Sequence, residues 1–234
     1  MVELPEELRN ASLSFYLWSR SRRAGHTLAL AIGRFVDPSF EWLSVREERS
    51  HPSEEESWVR RLLPKGRILT SMSAGELHGG SHVSKETLNS MVRPDGTTAE
   101  RTSLEHYFLL PTSFQSLLDE AGPLGAVRVI VVSNTERLAR LYPSDPGEMR
   151  PFADVFSRHG LTMISTAVPP PYAGRYAFDI VLRVDVDSVE DWRAGRLVVE
   201  KGLSFGEYRT GATFSLQQLP WYLEAGEQIE RAAV

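Results

Sequence analysis

The chain has 234 residues, 41% of them hydrophobic and 24% charged, which suits a folded chain with one α/β core. A net charge of −5 argues against nucleic acid as a default partner, because phosphate binding draws on clustered Lys and Arg. With no Cys, the chain holds no disulfide, thiolate nucleophile or Cys-based zinc or iron–sulfur site.

Met1–Asn10 is acidic and lacks the apolar core of a signal peptide. No apolar run approaches the ~20 residues needed to cross a bilayer, so elimination leaves a cytoplasmic protein with no membrane partner. Ser12–Trp18 (SLSFYLW) has strand length, and a basic loop, SRSRRAGHT, follows it. Leu28–Phe35 reads as a helix stopped by Asp37-Pro38. Glu41–Val45 is a second strand. Ser53 and Glu56 form a capping box that opens a helix through Leu63, and Arg67–Met72 is a third strand. Ser73–Thr102, with Gly79-Gly80 and Asp95-Gly96, is a loop-rich excursion holding one helix near Ser84–Val92.

Leu104–Leu110 and Ser113–Ala121 read as helices separated by Pro111. Val127–Val132 (VRVIVV) is continuous and β-branched, as a central parallel strand should be, and is expected to lie beside Ser12–Trp18. A helix around Gly147–His159, a strand over Leu161–Ala167 and a rigid Pro169–Pro171 loop follow. Phe178–Val184, Arg196–Glu200 and Thr210–Leu216 are closely spaced strands that fit antiparallel additions at one sheet edge. Leu219–Ala233 closes the chain as a helix. This order predicts a single α/β domain over residues 1–234.

The first strand–loop–helix unit is where chemistry is expected. A phosphate loop of the form G-x-x-x-x-G-K-[ST] wraps phosphate with glycines, neutralises it with Lys and holds Mg²⁺ with a hydroxyl. Arg20–Thr27 keeps the second glycine, Gly25, and the hydroxyl, Thr27; Arg20 replaces the first glycine and His26 the Lys. With a strand before it and a helix after it, this order resembles the RecA superfamily, and within it the KaiC-like branch, over most of the chain.

The resemblance implies a RecA-like wound, mainly parallel sheet flanked by helices, with antiparallel strands at the C-terminal edge. It implies a glutamate pair after the second strand that activates the water attacking ATP, matched here by Glu47-Glu48. It also implies an Mg²⁺-supporting Asp at the end of the central strand. Here that position falls on Val132 or Ser133, ahead of Asn134, and neither is a carboxylate. A basic residue that reaches the neighbouring subunit's phosphate is matched by Lys201. Side-by-side association, as a homo-oligomer or with an active paralogue as protein partner, is implied in the same way.

Loss of the first glycine, the Lys and the Asp removes main terms of phosphoryl transfer. The expected function is therefore a degenerate, non-catalytic regulatory or assembly subunit. Arg20, Arg22, Arg23, Gly25, His26 and Thr27, at a helix N-terminus, form a candidate site for ATP, another nucleotide or phosphate without Mg²⁺. The simpler reading is a set of solvated loop arginines. An alternative is a weak or active ATPase in which His26 or a loop Arg replaces the Lys and Glu47 or Glu48 is the base. It needs a carboxylate from elsewhere, such as Asp179, beside Ser133. A single-stranded nucleic-acid accessory protein is a third reading.

Other features have simpler accounts. Glu54-Glu55-Glu56 serves the helix dipole and cap. His78 and His82 flank Gly79-Gly80, which breaks the helix that would pair them, so no metal site is expected. Phe15, Tyr16, Trp18, Trp42 and Trp58 read as core.

Overall fold

Short β-branched and aromatic runs build the sheet. The computed structural model describes residues 2–9, 13–45, 54–63, 66–69, 129–135, 160–169, 175–176, 178–203 and 206–233. Its strands are β1 (Ser14–Ser19), β2 (Glu41–Val45), β3 (Gly66–Leu69), β4 (Val129–Ser133), β5 (Thr162–Ala167), β6 (Ile180–Val186), β7 (Gly195–Lys201) and β8 (Thr213–Ser215). They form one sheet in the order β3-β2-β4-β5-β1-β6-β7-β8. Neighbours from β3 to β6 are parallel, and β7 and β8 add on antiparallel at the C-terminal edge, as expected.

One expected strand pairing fails. β4 is a central parallel strand, but its neighbours are β2 and β5, not β1. β5 lies between them, pairing Met163 with Ile130 and Ile164 with Phe15. The reason is that parallel strands are joined only by crossovers, so an apolar run does not encode its neighbour. β5 is buried at every position and is as well suited to the centre as β4.

Among the described residues, three helices lie on one face: α1 (Arg22–Val36), α2 (Glu54–Leu62) and α3 (Pro220–Ala233). Leu28 and Ile32 of α1 and Tyr222 and Ile229 of α3 share a core with Phe15, Leu17, Ile164, Leu182 and Val199 of the sheet. On the opposite face Tyr16, Ile130, Val132, Met163 and Val181 are buried too, as parallel strands require. α3 packs across α1 and α2, and Arg61 of α2 donates to the Ala232 carbonyl at its end (3.1 Å). Gly226 lets α3 approach Trp192, since a Cβ there would lie 2.0 Å from the indole ring.

α1 starts earlier than expected, at Arg22 instead of Leu28. The last strand is shorter than expected, because Gly211, at φ 89°, turns the chain just ahead of it. The helices expected at 84–92, 104–110, 113–121 and 147–159 lie outside the described residues, as does the 73–102 excursion as a whole.

Candidate functional site

The site is built where β1 passes into α1. Only Arg20 and Ser21 bridge them. Ser21 is the N-cap: its Oγ accepts from the Ala24 amide (3.4 Å) and donates to the Val189 carbonyl (3.0 Å). The Ser21 amide donates to Ser19 Oγ (3.2 Å), which donates to the Val184 carbonyl (2.8 Å). The Gly25 amide already donates to the Ser21 carbonyl in helical fashion (3.1 Å). Arg22–Thr27 is therefore helix, not loop, and has no wide backbone ring of free N–H groups.

The predicted anion-binding residues are dispersed by this geometry. Gly25, His26 and Thr27 are buried inside α1. A Cβ on Gly25 would meet only Ser19 Cβ at 4.0 Å, so no close backbone approach requires a glycine there. Thr27 Oγ1 is buried and has no hydrogen-bond partner among the described residues. Arg23 bonds Glu54 Oε1 and the Gly226 carbonyl, each at 2.9 Å, and burial lowers its pKa. Arg22 donates to Asn134 Oδ1. Arg20 points to solvent and makes no hydrogen bond or ion pair among the described residues.

A different residue dominates the end of β4. Glu55, in the first turn of α2, is only 8% exposed. Its carboxylate accepts from Trp42 Nε1 (3.0 Å), Asn134 Nδ2 (2.7 Å) and Ser133 Oγ. His26 Nε2 lies 3.8 Å from it, with the imidazole edge-on to Trp42. Asn134, at φ 57°, takes the left-handed conformation that Asn tolerates best among side-chain-bearing residues. That turn lets one side chain bridge Arg22 and Glu55.

The carboxylate beside Ser133 is thus Glu55, not Asp179. Asp179 accepts from the Ser14 amide (2.8 Å) and Oγ (2.7 Å), at the opposite end of β1. Sequence reasoning assigned Glu55 to helix capping and missed Trp42 as its partner. The missed signal is spacing: Glu55 precedes Trp58 and Val59 by three and four residues, which puts it on the buried face of α2.

Of the two further predicted sites, only Lys201 can be placed. Glu47 and Glu48 lie outside the described residues. Lys201 Nζ donates to the Tyr176 carbonyl (2.9 Å) and the Phe178 carbonyl, so its charge is engaged within its own chain. Among the described residues no cluster of His, Cys, Asp or Glu could hold a metal ion, and no helix is long and apolar enough to cross a membrane. No family model matches the chain, and no characterised protein matches it as a relative.

Proposed function

We propose that the protein is a non-catalytic member of the RecA/KaiC-like group that acts as a regulatory or assembly subunit for a protein partner or for copies of itself. Support for the fold comes from the mainly parallel sheet, its antiparallel C-terminal edge and the helix that follows β1 directly. The observation that carries the loss of catalysis is Glu55. Its carboxylate fills the space between α1 and the end of β4, and three donors already engage it. A nucleotide phosphate placed there meets a buried, already occupied acceptor instead of a ring of amides. The residues present do not fit an Mg²⁺–nucleotide complex at this loop.

The test is a calorimetric titration with ATP, GTP and ADP, with and without Mg²⁺. No nucleotide binding that depends on Arg22 and Arg23 is expected up to millimolar concentration, and no phosphate release. Binding that disappears in the R22A/R23A double variant would overturn the reading.

One observation favours a weak ATPase instead: a carboxylate does lie beside Ser133, as that alternative requires. To support a metal, Glu55 would have to give up Trp42, Ser133 and Asn134. Phosphate release by the wild type that vanishes in Glu55→Gln, with unfolding stability retained, would establish it.

A further inference from the structure

A second concavity lies one strand away from Glu55, outside the carboxyl ends of β1 and β6. It is an open cleft of about 820 Å³, lined by Trp18, Arg20, Asp185, Asp187 and Arg196, among others. In wound sheets, ligands bind in crevices outside the carboxyl ends of the strands. This cleft has that position, and its volume is in the range of small-molecule sites.

Its charges are arranged unequally. Asp185 holds two guanidinium groups: Arg183 Nε at 3.0 Å and Arg196 Nε at 3.3 Å. Arg183 is also committed to Glu200 (3.3 Å). Arg196 is different: its side chain is 62% exposed, and its terminal nitrogens make no hydrogen bond among the described residues. Arg20 is uncommitted in the same sense, on the same cleft. Two guanidinium groups with spare N–H donors suit a phosphate, and Asp185 pre-orders one of them. The Asp187 carboxylate is exposed and makes no hydrogen bond among the described residues, so it is a ready acceptor for hydroxyl groups. Two carboxylates on the wall also repel ligands of higher negative charge. Gly195 holds β7 against β6 here: at φ 141° its Cβ would lie 2.1 Å from the Asp185 carbonyl oxygen.

We infer that this cleft binds a phosphate monoester carried on a hydroxylated skeleton, with Arg20 and Arg196 on the phosphate and Asp187 on a hydroxyl. Sugar phosphates and nucleoside monophosphates share this chemistry. The inference goes beyond the non-catalytic reading and uses none of its residues except Arg20.

Calorimetry of the full chain with ribose 5-phosphate, AMP, ATP and inorganic phosphate tests it. Ribose 5-phosphate or AMP should bind, with ATP and inorganic phosphate each at least tenfold weaker. A preference for AMP assigns the ligand to the nucleotides, and a preference for ribose 5-phosphate assigns it to the sugars. The R20A/R196A variant, altered only at exposed side chains, should weaken binding at least tenfold with unchanged thermal unfolding. R22A/R23A should leave binding intact. Absence of heat from both monoesters at millimolar concentration overturns the inference, as does full affinity in R20A/R196A. Equal affinity for inorganic phosphate and ribose 5-phosphate overturns the role of Asp187. Nucleotide binding lost only in R22A/R23A counts against the non-catalytic reading and not against this cleft.

Discussion

Glu55 is a buried hub of the candidate site. Truncating it would leave Trp42 Nε1, Ser133 Oγ and Asn134 Nδ2 without their shared acceptor. Unsatisfied buried donors are costly, so Glu55→Ala should destabilise the fold by about 3 kcal/mol. Glu54, one residue earlier, is exposed and pairs with Arg23, so Glu54→Ala should cost under about 1 kcal/mol. Urea midpoints at constant m-value compare the two.

Tyr222 gives a second test at this scale. Burial pushes its phenol well above the ordinary value, and its OH donates to the Trp192 carbonyl (2.9 Å). A raised acid is favoured protonated in the fold, so its contribution is complete below the ordinary value of about 10. Above that pH the unfolded chain ionises first and stability falls. Urea midpoints should hold from neutral pH to about pH 10 and then drop. Tyr222→Phe should lessen the drop while lowering stability by about 1 kcal/mol at neutral pH.

At the scale of the element, α3 depends on its contact with Trp192. Ala in place of Gly226 gains about 1 kcal/mol of helix propensity. The new Cβ would nevertheless lie 2.0 Å from the indole, so the ring or the helix must move. Overpacking should win, and Gly226→Ala should lower the melting temperature by several degrees, on the order of 1–3 kcal/mol. A melting temperature at or above wild type would mean that Trp192 repacks freely.

Legibility also differed by element. The α2 start was readable because Ser53 is followed by Glu56, the capping-box spacing. The α1 start was not, because Ser21 is followed three residues later by Ala24 and caps with its hydroxyl alone. Reading a phosphate loop into Arg20–Thr27 then pushed the helix start to Leu28. The surroundings of these residues depend on α2, which only the tertiary fold brings over Ser133.

For the whole molecule, strand types were legible and strand neighbours were not. Alternation and β-branched runs located the parallel strands and the antiparallel edge. Nothing local in VIVVS or TMISTA states which of the two lies beside β1. Pairing between strands so far apart is decided by the joint burial of both faces, a property of the assembled sheet.

The position of β1 sets the order in which the molecule can form during synthesis. β1 is made before its two sheet neighbours, β5 and β6, and the Ser14–Asp179 bond spans 165 residues. Until those strands leave the ribosome, Phe15, Leu17 and the apolar face of α1 have no finished sheet to cover them. Such long loops must close before their contacts repay the entropy, so folding is slow. The nascent β1–α1 segment therefore stays uncovered and sticky until β5 and β6 are made, a natural client for a holding chaperone.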